Sequence, residues 1–161
     1  MNNFPIPEDE QERLHALERL HILDTDPEER YDRITERAIK ELHVPISTIS
    51  LIDRNREWYK SCQGIKNHEL QRDASFCTHA IMSMTPMVIE DTFLDDRFKN
   101  NPQVTEHPFI RFYAGIPLRD FKSGSIVGVL CIKDIKPRKL SQGEYALLFE
   151  LGQEVEKELQ K

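Results

Sequence analysis

No stretch of this sequence keeps apolar residues together for the ~20 positions a helix needs to span a bilayer, which excludes a helical membrane anchor within it. Cations are in deficit: 22 Lys and Arg stand against 28 Asp and Glu, a net charge of -6, and no long basic run occurs. Affinity for a nucleic-acid backbone comes mainly from clustered cations, so a duplex-binding role is excluded and no nucleic-acid partner is expected. Cysteine is scarce, and Cys62, Cys77 and Cys131 are odd in number, with spacings that match neither a disulfide framework nor a paired zinc knuckle. Reduced thiols and no metal are the expectation. Residues 1–5 carry neither the basic stretch nor the apolar segment of a secretory leader, so a cytoplasmic location without membrane contact is expected. Internal repeats and low-complexity tracts are also missing.

What is present suffices for one core: 161 residues, 39% hydrophobic, read as a single domain over residues 1–161. Residues 8–23 are charged, with Leu14, Leu17 and Leu20 as a thin apolar edge of a helix that must dock on something. At 24–29 Asp26 offers a cap, Pro27 the first helical position, and Glu28 and Glu29 the acidic first turn. The helix behind them places Tyr31, Ile34, Ala38 and Leu42 on one face and ends near His43, before Pro45. Residues 46–53 and 57–62 read as a hairpin of two strands, 64–73 as a polar loop, and 75–84 as a short helix with Cys77, Ala80 and Ile81 inward. Residues 87–89 form a short strand. The polar connection over 90–108 has the length of a binding element. Two strands follow at 111–118 and 125–134, the first alternating Phe112, Ala114, Ile116 and Leu118, the second Ile126, Gly128, Leu130 and Ile132. Ser141 and Glu144 make a capping box for a last helix, 141–160, striped by Tyr145, Leu148, Leu151 and Val155. Hairpin-joined strands with helices on either side predict an α/β (α+β) domain with an antiparallel sheet.

Seven stretches in order carry a family resemblance: RLHILDT at 19–25, VPISTISLID at 44–53, WYKS at 58–61, SFCTHAI at 75–81, DDRF at 95–98, RFYAGIPL at 111–118 and GVLCI at 128–132. Together they resemble the GAF domain, in the branch found at the N-terminus of bacterial sensor kinases and cyclic-di-nucleotide synthases. The resemblance implies a central antiparallel sheet of five to six strands, terminal helices on one face, and a short ligand-side helix with loops on the other. It also implies a non-catalytic regulatory domain that binds a small molecule and relays its state through terminal helices, which pair as a homodimer. It does not specify the effector or any cofactor. No kinase, cyclase or phosphodiesterase region follows Lys161, so signalling runs through a downstream protein partner, or the chain is a fragment.

Five residues are the candidate ligand contacts. Cys77 and His79 place a thiol and an imidazole near a helix N-terminus, where a thiol becomes more acidic; the plainer alternative is a buried thiol and a backbone-bonded histidine. Arg97 and Phe98 either clamp an anionic ligand, guanidinium on charge and ring on base, or supply a surface ion pair and a core ring. Tyr113 alternates with Phe112, so one of the two faces the ligand side. Trp58 is assigned to the core. The leucine stripes of the two terminal helices serve a dimer seam or pack on their own sheet.

Two other functions are weighed. Free methionine-R-sulfoxide reductase is a GAF-fold activity whose cysteine attacks the sulfoxide; Cys77 matches one of its cysteines, but residues 93–110, where its catalytic thiol belongs, contain none. A ligand-free dimerisation scaffold would have its pocket plugged by Phe98 or Phe109. The Asn-Lys signature of cyclic-nucleotide-binding members is not found, and Cys77-Thr78-His79 interrupts the Cys-His pair of bilin-binding ones.

Overall fold

The computed structural model describes residues 3–161; residues 1 and 2 of the expected 1–161 domain lie outside the described residues. Helix α1 (Glu10–Arg19) buries Leu14, Ala16 and Leu17. It is shorter than the anticipated 8–23 because the chain turns at His21 and Asp24, whose φ values of 50° and 62° are left-handed and cannot continue a helix. Helix α2 (Glu29–Leu42) also begins later than its Asp26-Pro27 signal suggests. The Lys60 ammonium donates to Thr25 Oγ1 (2.7 Å) and the Asp26 carbonyl (2.5 Å) and pairs with Glu28 (2.8 Å), so this segment stays extended and Glu28 becomes the N-cap. Tyr31, Ile34, Ala38 and Leu42 are buried on one face, and His43 ends the helix at φ 54°.

Strands β1 (Ile46–Ile52) and β2 (Arg56–Gln63) form the anticipated hairpin. Between Ile49 opposite Ser61 and Ser50 opposite Tyr59, Lys60 is an extra residue, a bulge that re-aims its side chain at the start of α2. Strand β3 (Glu69–Gln71) pairs with β2 inside the stretch read as a loop; three residues without a β-branched side chain leave no pattern to detect. Helix α3 (Phe76–Ala80) is capped by Ser75, whose hydroxyl accepts the Thr78 N–H. It stops short of the anticipated 84 because Met82, Ser83 and Met84 are exposed and give the helix nothing to bury.

Strand β4 (Met87–Ile89) is followed by helix α4 (Pro102–Thr105), strands β5 (Phe112–Arg119) and β6 (Ile126–Asp134), and helix α5 (Gln142–Leu159) with its Ser141–Glu144 capping box complete. All pairings are antiparallel, in the order β3-β2-β1-β6-β5-β4. The six strands fall within the anticipated five to six.

The sheet separates two cores. One face packs Ile49, Leu51, Trp58, Phe112, Ala114, Ile116, Leu118, Leu130 and Ile132 against Leu17 of α1, Tyr31, Ile34 and Ala38 of α2, and Leu148, Leu151 and Val155 of α5. Of the terminal stripes, Leu14, Leu17, Leu148, Leu151 and Val155 are thus buried within their own chain, and Leu20 and Tyr145 are half-buried. At Gly152 α5 lies so close to β5 that an added Cβ would stand 2.9 Å from Ile116 Cγ2. The other face packs Ile52, Val129 and Cys131 against Phe76, Cys77, Phe98, Val104 and Tyr113. Ile126 belongs to this second core rather than sharing a face with Leu130 and Ile132: Leu118 pairs with Gly128 but Arg119 pairs with Ile126, so bulged Val127 inverts the alternation.

Candidate functional site

A cavity of about 550 Å³ opens on the second face, away from α1, α2 and α5. Its floor is Ile46, Tyr59 and Lys133, from β1, β2 and β6. One wall is the β2–β3 connection, with Gly64, Ile65, Lys66 and Asn67, together with Leu70 of β3; the other is α4 and its exit, with Pro102, Gln103, Glu106, His107 and Pro108. Gly64 holds φ 87° where a side chain would collide with the Pro45 carbonyl, so the turn that starts the first wall requires glycine. The second wall begins at Asn101, whose side chain caps α4 through the Gln103 N–H (2.8 Å), with Pro102 in the first turn.

Gln103 ties the walls to the floor. Its amide donates to the Ala74 carbonyl (2.6 Å), and its carbonyl oxygen accepts from the Lys133 ammonium (2.8 Å). Lys133 is 1% exposed. Burial lowers its pKa, but facing Cys131, Glu57 and Cys77 raise it by more, so the ammonium stays charged. The Tyr59 hydroxyl, also on the floor, is buried with no hydrogen-bond partner, and burial pushes its pKa up. A buried polar group without a partner is uncommon enough to mark a place where a ligand or water belongs.

Beneath the cavity lies a polar network no exposed site would need. Glu57 is fully buried and accepts from Ser50 (2.6 Å) and Ser75 (2.6 Å); Thr48 joins Ser50 (2.7 Å) and Cys131 Sγ (3.0 Å). Each buried carboxyl oxygen therefore has a hydroxyl donor.

The five residues singled out from sequence form a cluster of their own, and none lines the cavity. Cys77 and Tyr113 are wholly buried, joined by a Sγ–Oη contact of 3.0 Å. Burial, reinforced by the adjacent Cys131, pushes the Cys77 thiol up rather than down, which outweighs its position on a five-residue helix. Cys131 goes the other way: burial raises it, but the hydrogen bond from Cys77 and the Lys133 charge lower it by more. Tyr113 is the residue of its pair that faces this side, while Phe112 faces the helices. Phe98 is 1% exposed and packs edge-on against Phe76 (4.5 Å) and His79 (4.8 Å), as a core ring. Burial and the nearby Arg97 lower the pKa of His79. Arg97 is exposed and paired with Asp95 at 2.8 Å. The sequence does not single out the cavity residues, because Lys133 stands beside Asp134 at the end of an apolar strand and Gln103 in a featureless polar stretch; the one signal it offers is Lys133 in alternation with Cys131.

All three cysteines are free, and among the described residues no group of three or more His, Cys, Asp or Glu is placed to hold a metal ion. No helix among the described residues is long and apolar enough to cross a membrane.

Comparison with known proteins fits this architecture. The sequence model of the GAF domain matches residues 26–159. A cyclic di-GMP phosphodiesterase of Pseudomonas aeruginosa is 36% identical over 145 residues, which cover 89% of this chain but only 24% of that protein. The GAF domain of an Acinetobacter phosphoenolpyruvate-protein phosphotransferase superposes with a TM-score of 0.67 at 16% identity, covering 92% of each chain. The free methionine-R-sulfoxide reductase of Neisseria meningitidis gives 0.65 at 14% identity, covering 98% of this chain and 95% of that one; the likeness is one of fold. With the family model spanning most of the sequence and the fold in agreement, this chain belongs to the GAF domain family.

Proposed function

We propose that this chain is a non-catalytic regulatory domain that binds a small molecule in the cavity floored by Tyr59 and Lys133 and relays its occupancy to the helices on the opposite face. The observation that carries the reading is the cavity itself. Its volume of about 550 Å³ falls within the roughly 300–1,000 Å³ range of small-molecule sites, and two polar side chains, Tyr59 and Lys133, belong to its floor. A plugged scaffold fits less well, since Phe98 packs into the core beside the cavity and Phe109 is exposed, so neither fills it. The reductase reading has little support: no cysteine lines the cavity, Cys77 is buried with its thiol pushed up, and half-buried Cys62 is pushed up to about 11.

Relay has a physical route. Ala74, held by Gln103, ends the single turn that begins at Arg72, and Arg72 donates to Glu10 of α1 at 2.5 Å. A ligand that displaces Gln103 shifts the turn on which α1 is anchored, and a difference of about 1–3 kcal/mol between two arrangements suffices for regulation. In a homodimer the contact would use the outward faces of α1 and α5, because the inward stripes are already buried. The Pseudomonas relative's name suggests cyclic di-GMP hydrolysis as the output such a domain controls. The test fills the cavity: Leu70→Trp should abolish retention of a small molecule seen by native mass spectrometry, and equal retention by wild type and variant would refute the site.

A further inference from the structure

We infer that the ligand of this cavity carries an anionic group, a carboxylate or a phosphate, seated against the Lys133 ammonium; the inference rests on the cavity being a small-molecule site. Lys133 is 1% exposed, yet no carboxylate among the described residues lies within ion-pair distance, 4.0 Å, of its Nζ. Its polar contact is the neutral Gln103 amide, and the Phe76 ring lies 5.5 Å from Nζ. Glu57 acts on it only from beyond that distance, its two oxygens accepting instead from Ser50 and Ser75.

A buried charge is costly to keep unless it is paired. Here Lys133 and its partner Gln103 both line the cavity. Tyr59 adds a second donor, 7% exposed and without a partner, on the same floor. Lys66 and Glu106 also line the cavity, so with Lys133 the lining holds two lysines to one carboxylate and has a cationic surplus. An anion entering this space replaces an amide oxygen on the ammonium by a charged oxygen, a shorter and stronger hydrogen bond. Gln103 then loses one of the two hydrogen bonds its side chain makes.

The test uses the whole chain and three probes of comparable size: succinate, inorganic phosphate and uncharged erythritol. Titrations followed by amide NMR should show saturable shifts at Ile65, Asn67 and Gln103 with succinate or phosphate and none with erythritol; which anion binds tighter separates the carboxylate from the phosphate source. Lys133→Met should weaken anion binding on the order of tenfold or more, with Lys133→Gln in its place if the methionine variant does not fold. Preference for erythritol, unchanged affinity in the Lys133 variants, or no saturable shift with either anion overturns the inference. These outcomes leave the Leu70→Trp retention test of the binding function standing as a separate result.

Discussion

Replacing Ser75 by alanine removes two interactions made by a single hydroxyl. Its oxygen accepts the Thr78 N–H at 3.0 Å, capping α3, while its proton goes to Glu57 Oε1 at 2.6 Å, both within the buried interior. Loss of a cap costs about 1 kcal/mol and loss of a hydrogen bond to a buried carboxylate about 1.5–3 kcal/mol, so Ser75→Ala should destabilise the domain by about 2.5–4 kcal/mol. Against a typical total of about 5–15 kcal/mol this is a large fraction, and it is readable from urea unfolding followed by circular dichroism at pH 7 with an unchanged denaturant slope. Ser75→Asp separates the two parts. Asp caps helices about as well as Ser, so a capping role alone predicts no loss, whereas the geometry predicts a variant less stable than Ser75→Ala, because a second carboxyl is pressed onto Glu57. A cost of about 1 kcal/mol or less for Ser75→Ala, with Ser75→Asp close to wild type, would refute the network.

Gly152→Ala gains about 1 kcal/mol of helix propensity, but its Cβ meets Ile116 at 2.9 Å, and overpacking costs about 1–3 kcal/mol; a net loss in urea unfolding is expected, and a more stable protein would mean that α5 can lift off β5. Cys62, with its thiol at about 11, should be alkylated in the native state before buried Cys77 and Cys131, at a rate rising about tenfold per pH unit below that value; peptide mass mapping reads the order, and early labelling of Cys77 would contradict its burial. For Glu10, burial raises the pKa, but hydrogen bonds from Arg72 and Arg13 more than offset it, leaving it below the ordinary 4.5. A depressed folded-state carboxyl stabilises above pH 4.5 and loses that contribution as pH falls through its folded value, so Glu10→Gln should flatten the acid limb of a melting-temperature profile. An acid limb as steep in Glu10→Gln as in wild type would assign the acid sensitivity elsewhere.

Much of the fold is legible because its helices and long strands carry their period in the side chains. The stripe Tyr31, Ile34, Ala38 and Leu42 and the Ser141–Glu144 capping box place two helices, and the alternation from Phe112 to Leu118 places a strand and its inward face. Departures arise where a tertiary contact overrides a local signal. Lys60 reaches back to Asp26 and delays α2, and bulged Val127 turns Ile126 to the other face. The site was less legible than the fold for a related reason. Cys77, His79, Phe98 and Tyr113 carry conspicuous chemistry, but they are large or buried groups that the second core uses for packing. Lys133 and Gln103 acquire meaning only when β6, α4 and the β2–β3 connection are brought together around them.

Whether the cavity holds a small molecule is read by comparing native and denaturing masses of the protein after incubation with a small-molecule extract of its host. A non-covalent mass should be retained in the native spectrum, lost on unfolding and absent from Leu70→Trp; retention by neither protein, or equally by both, would overturn the cavity as a binding site.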